Sequence, residues 1–98
     1  MTITSVTRWS IDPAKAQKLA SEAAPLMKKN GASTVRVGYC HSGQYTGQTM
    51  VVVIYSDWQE YGRAMQAQSH DSAYQTLFGE VLGVGELLDR TVMVTQDL

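Results

Sequence analysis

The alternation of apolar and polar positions divides the chain into strands and helices. Residues Thr2 to Ile11 carry β-branched side chains at Thr2, Ile3, Thr4, Val6, Thr7 and Ile11. Branching at Cβ stiffens χ1 and suits a pleated strand better than a helix. From Ser33 to His41, Val35, Val37 and Tyr39 alternate with Thr34, Arg36 and Gly38, which predicts a second strand. Met50 to Tyr55 is apolar at every position, the mark of a strand covered on both faces. Between them, Ser42 to Gly47 reads as a hairpin loop, with Gly43 and Gly47 supplying positive φ angles. Glu86 to Gln96 predicts a fourth strand, with Leu88, Arg90, Val92 and Val94 set against Asp89, Thr91, Met93 and Thr95.

Helical spacing fills the intervals. Asp12-Pro13 is a start signal, because Asp accepts from orphan N–H groups and Pro at the first position loses nothing. Ala16, Leu19, Ala20, Ala23, Leu26 and Met27 form one apolar stripe, and Asn30-Gly31 provides a left-handed stop. Pro25 should kink this helix or split its last turn. Asp57 and Glu60 have capping-box spacing, and Trp58, Tyr61, Ala64, Met65 and Gln68 mark the helix that follows. Asp71-Ser72 caps another helix through Ala73, Tyr74, Leu77, Phe78, Val81 and Leu82, loosened at its end by Gly79, Gly83 and Gly85.

The order is β-α-β-β-α-α-β. Adjacent hairpin strands and right-handed crossovers favour a ferredoxin-like split βαβ, with helices on one face of a four-stranded antiparallel sheet. The expected class is α+β, with residues 1–98 as one domain.

Charge sharpens this picture. Eight Lys and Arg stand against nine Asp and Glu, and charged residues are only 17% of the chain. The near balance offers no electrostatic footprint for nucleic acid. The strands are nearly bare, with Arg8, Arg36, Asp89 and Arg90 as their few charges. Two helices cover one sheet face, so the other face needs a partner or a ligand, and an isologous homodimer is the simplest cover. The single cysteine, Cys40, excludes an internal disulfide framework and reads as an inert thiol in a reducing compartment. No apolar run approaches the length of a membrane span, and the amino terminus is not a secretory signal, so a cytoplasmic protein is expected.

The whole chain resembles the dimeric α+β barrel superfamily. The resemblance rests on the element order, the hairpin Ser42 to Gly47, the apolar Met50 to Tyr55, the helix start Asp57-Trp58-Gln59-Glu60-Tyr61 and the break Ser69-His70-Asp71. It implies two ferredoxin-like sheets closed into a barrel across a dimer. It also implies functions such as cofactor-independent monooxygenation, lactone isomerisation or polyketide cyclisation. Fold analogy does not choose among them.

Three residues are candidates for proton or charge handling. His70 lies at the break between helices, where related enzymes place a proton-handling histidine, and its alternative is a solvated cap. His41 ends the second strand two residues after Tyr39, and its alternative is an exposed rim position. Histidine titrates near neutral pH, which suits either for acid–base work. Arg36 is mid-strand and is the first choice among Arg8, Arg36 and Arg90 for holding developing negative charge, the alternative being a pair with a carboxylate. Trp9, Tyr39, Tyr55, Trp58, Tyr61 and Tyr74 are candidate ligand-binding aromatics, against a plain role in the core. Met27, Met50, Met65 and Met93 read as core gap-fillers. No metal-ligand spacing or phosphate loop appears, so neither metal nor organic cofactor is expected.

Two functions follow. One is binding of a small aromatic or polyketide-like molecule between sheet and helices, in a cavity of roughly 300 Å³ or more, with cofactor-independent chemistry. The other is a non-catalytic homodimer whose sheet face is only an interface.

Overall fold

The computed structural model describes residues 1–98. Its elements are β1 (Thr2–Ile11), α1 (Pro13–Lys29), β2 (Thr34–Tyr39), β3 (Thr49–Tyr55), α2 (Trp58–Ser69), α3 (Ser72–Val84) and β4 (Gly85–Thr95). The strands form one sheet in the order β2-β3-β1-β4, antiparallel throughout. This is the split βαβ arrangement that the element order predicts.

Each helix begins on an aspartate. Asp12 accepts from the Lys15 N–H at 3.1 Å, Asp57 from Glu60 at 2.8 Å and Asp71 from Tyr74 at 3.2 Å. The Asp57 capping box is formed in one direction, because the Glu60 carboxylate turns to Arg63 at 3.2 Å. Asp71 also accepts from Asn30 Nδ2 at 3.0 Å and lies 3.7 Å from Lys29 Nζ, tying the end of α1 to the junction of α2 and α3. The Asn30 hydrogen bond, then the Tyr74 N–H, holds the Asp71 carboxyl below its ordinary range. The left-handed stop after α1 falls on Gly31 (φ +125°), and Gly43 and Gly47 take the positive φ angles of the hairpin.

Four local expectations are corrected. α1 runs unbroken through Pro25. Ser21, whose carbonyl the proline leaves free, is exposed, so water serves it and the last turn survives. α3 likewise continues through Gly79 and Gly83 to Val84. β2 stops at Tyr39, and the Cys40 N–H and C=O instead bond Gln48 and Gly47 across the hairpin neck. Met50 lies outside the core, and so does Met93, which is 41% exposed; each pairs with an outer-face residue, Met50 with Arg8 and Met93 with Thr4.

Register assigns the faces. Ile3 opposes Tyr55 and Val94, Ser5 opposes Val53 and Val92, and Thr7 opposes Val51 and Arg90. These rows face the helices, where Ile3, Ala32, Val53, Tyr55 and Ala64 form the main buried cluster. The alternate rows face outward. Val6 opposes Val52, which opposes Arg36, while Thr4 opposes Ile54 and Met93. No helix covers this outer face. The surface is 6068 Å², above the roughly 5,500 Å² expected for a compact chain of 10.8 kDa.

Two glycines should respond oppositely to the same substitution. A Cβ on Gly85 would stand 2.8 Å from Ile11 Cβ, whereas one on Gly79 meets nothing within 4 Å. Gly85→Ala should destabilise by about 1–3 kcal/mol through overpacking. Gly79→Ala, in an open helical position, should stabilise by roughly 0.5–1 kcal/mol. Urea unfolding of both variants checks the pair; equal effects would refute the packing assignment.

Candidate functional site

A cavity of about 90 Å³ lies between the sheet and all three helices. Its floor includes Ser5, Thr7 and Trp9 of β1, Thr49, Val51 and Val53 of β3, and Arg90 of β4. Its roof is mostly apolar. α1 brings Ala16, Leu19, Ala20, Ala23 and Met27, because its stripe repeats every three or four residues. α3 contributes Tyr74, Leu77, Phe78 and Val81 from the same kind of stripe.

Against this apolar background the polar groups stand out. Tyr55 and Gln68 are 2% and 6% exposed, and the Gln68 side chain lies close enough to the Tyr55 hydroxyl to act on it. Burial is the main influence on Tyr55 and pushes its hydroxyl pKa up to about 12; the nearby Gln68 amide opposes this. Burial also raises Tyr74, while the Arg90 charge pulls it down. Both phenols therefore remain protonated donors at neutral pH, with the Arg90 cation close enough to act on each. The Trp9 indole N–H donates to Thr7 Oγ1 at 2.8 Å, so both groups are engaged. Thr49 is buried and its Oγ1 has no partner. Trp9 meets Phe78 edge-on at 6.1 Å, and Phe78 stacks on Tyr74 at 6.1 Å, which fixes one aromatic wall.

The structure brings some predicted residues together and separates others. Trp9, Tyr55 and Tyr74 line the cavity. Tyr39 is 62% exposed and lines a separate open groove beside the start of α1. Tyr61 meets Tyr55 edge-on at 5.3 Å from behind, and Trp58 meets Tyr61 at 5.8 Å, so neither reaches the cavity. His70 is the exposed C-terminal cap of α2, and His41 is exposed in the hairpin beyond β2. Because β2 ends at Tyr39, His41 does not share a strand face with it. Arg36 is exposed on the outer face, opposite Val52.

The three strand arginines do not converge. Arg8 pairs with Asp89 at 2.6 Å and stacks over the Tyr45 ring at 4.1 Å on the outer face. Arg90 alone lines the cavity. Its position was signalled by the alternation that groups it with Val92 and Val94. Gln68 was likewise signalled as the polar member of an otherwise apolar helical stripe. Nothing in the sequence distinguishes Thr49. No three His, Cys, Asp or Glu side chains gather as a metal site.

A family model described as a domain of unknown function, DUF6854, matches residues 1–93. The chain belongs to that family. No curated protein matches its sequence. Among solved structures it is similar to a variant of SnoaB, a cofactor-independent oxygenase from Streptomyces nogalater. The TM-score is 0.76 at 10% identity, over 99% of this chain and 95% of that one. A candidate antibiotic biosynthesis monooxygenase from Deinococcus radiodurans gives 0.70 at 14% identity, over 100% and 95%. A dimeric ferredoxin-like protein from an uncultured marine organism gives 0.71 at 13% identity, over 98% of each chain. At these identities the likeness establishes the fold, which is that of the superfamily the sequence resembles. It does not establish a reaction.

In this DUF6854 chain, the cavity has donors and one cation but neither histidine nor carboxylate among its lining residues. It is equipped to receive an oxygen atom bearing negative charge, and lacks an evident base to abstract a carbon-bound proton. Burial of Tyr55 also makes stability fall at alkaline pH. A phenol whose pKa is higher folded than unfolded contributes stability that is complete below pH 10 and is lost as pH rises towards about 12. Tyr55→Phe should flatten this alkaline loss, and tyrosinate absorbance should show one fewer late-titrating phenol. An unchanged alkaline unfolding profile would refute the assignment.

Proposed function

We propose that the protein binds a small, flat, largely apolar molecule with an ionisable oxygen, and that it works as a homodimer. The carrying observation is the placement of Arg90, Tyr55 and Tyr74 around one mostly apolar cavity. A cation and neutral donors at low polarity favour an anionic oxygen over its protonated form. A phenolate or enolate fits that demand. The cavity is well below the roughly 300 Å³ expected from sequence, which favours a single-ring molecule over a polycyclic polyketide. Met27 and Met65 at its walls are flexible enough to re-pack around a ring.

His70, His41 and Arg36 take no part in this reading, since none of them lines the cavity. Chemistry without metal or organic cofactor then rests on the bound anion, which is electron-rich and open to isomerisation or to addition of dioxygen as oxidant. The small cavity and the missing base favour a second reading, a non-catalytic binding protein. Turnover of a bound phenol, oxygen-dependent for oxygenation and oxygen-independent for isomerisation, against no turnover in either atmosphere, separates the two.

A phenol present at ten times its dissociation constant should stabilise the folded state by about 1.4 kcal/mol and raise Tm by roughly 6–11 °C. Arg90→Gln should remove most of that shift without lowering the Tm of the free protein. A screen of single-ring phenols and aromatic acids that leaves Tm unchanged would refute the binding site.

The dimer covers the outer face. Val6, Val52 and Ile54 form its apolar centre and are only half-buried in the single chain. The Arg8–Asp89 pair and Arg36 supply polar edges. Light scattering at micromolar concentration should give twice the 10.8 kDa chain mass. Val52→Asp should give the single mass with the helical signal retained. A native monomer would refute the interface.

A further inference from the structure

Thr49 lines the cavity on β3, across β1 from Arg90. Its residue is 2% exposed, and its Oγ1 is the only buried side-chain N or O atom without a hydrogen-bond partner. A buried hydroxyl left unpaired carries a desolvation cost, and native structures retain few. No neighbouring group supplies the bond. Trp9, opposite Thr49 across the β1–β3 ladder, already gives its indole N–H to Thr7. Ala16, which shares with Thr49 the wall between the cavity and the outer groove, has no polar side chain.

The sheet register sets the distance to the charged end. Thr49 pairs with Trp9, and Arg90 pairs with Thr7, so the two flank β1 one alternate position apart. Two strand spacings and one two-residue step separate their backbones by about 12 Å. A benzene ring with oxygens at opposite ends, plus a hydrogen bond at each, spans a comparable distance.

Resting on the binding reading above, we infer that Thr49 is a specificity-determining residue, whose hydroxyl takes a second polar group of the ligand, opposite the oxygen held near Arg90, Tyr55 and Tyr74. The ligand class is therefore a ring with two oxygen substituents at opposite ends. The orphan hydroxyl is the unfilled half of that recognition. It costs the free protein stability, and the correct ligand recovers it.

Hydroquinone and para-cresol test this, because they differ only in the second hydroxyl. Calorimetric titration without oxygen, on the native protein and on the near-isosteric Thr49→Val, completes a double cycle. The native protein should bind hydroquinone about tenfold more tightly than para-cresol. Thr49→Val should erase that ratio, bind para-cresol no worse, and have a higher Tm when free. Equal affinities in the native protein, or a tenfold ratio surviving in Thr49→Val, would overturn the role of Thr49 and leave the cavity assignment standing. Binding of neither compound to the native protein would overturn both.

Discussion

The alternation of side chains along β1 is the constraint on which the other features depend. β1 is the strand hydrogen-bonded along both edges to long partners, β3 and β4. Its odd-numbered residues up to Ile11 face the helices, so the pairing carries Thr49, Tyr55 and Arg90 to the same face. A slip of one residue would exchange every side chain between cavity and outer face. The irregularity between Arg8 and Trp9 absorbs Leu88 as an extra residue on β4. Arg90 lies on the Thr7 side of that bulge, so its face is set by the regular ladder running to Thr95. The cavity's cation therefore follows from strand pairing and not from loop geometry.

The same alternation explains why so much of the sheet is uncharged. With one face closed by helices and the other carrying Val6, Val52 and Ile54, neither row tolerates many ionised groups. Only 13 of 98 residues are buried in the single chain, a small core from which to stabilise a fold. The aspartate caps and the tie from Asn30 to Asp71 close the helix ends with local bonds instead. A cover on the outer face would add the apolar burial that the isolated chain lacks.

Period and turn chemistry made the elements legible. β1 begins and ends as read, the three aspartates cap as read, and the hairpin glycines adopt the expected angles. Propensity alone predicts a kink at Pro25, yet α1 runs through it because the freed Ser21 carbonyl is open to solvent. The site was legible only in part. Trp9, Tyr55 and Tyr74 are large enough that any helix–sheet seam would enlist them. Arg36 was preferred for its mid-strand position, yet it alternates with Thr34 and Gly38, the polar set of its strand. Arg90 alternates with Val92 and Val94, the apolar set. A cation among apolar neighbours was therefore the better signal. The isolation of Thr49 on β3 is not legible, since it depends on the Trp9 indole being taken by Thr7, two residues away on β1.

The cavity's polar groups oppose the stability of the free fold. An apolar residue at Thr49, Gln68 or Tyr55 would bury without a desolvation cost, and the helices would close on it more tightly. The sequence instead places a hydroxyl, an amide and a phenol among the few buried residues of a small core. Tyr55 and Gln68 lie close enough to influence each other, and the Trp9 indole is satisfied by Thr7. Thr49 alone is left over, and Arg90 stays exposed at the opposite side with its charge turned on two phenols. Packing economy would produce neither feature. Both fit the proposed ligand, for which their separation across β1 sets a length and a direction.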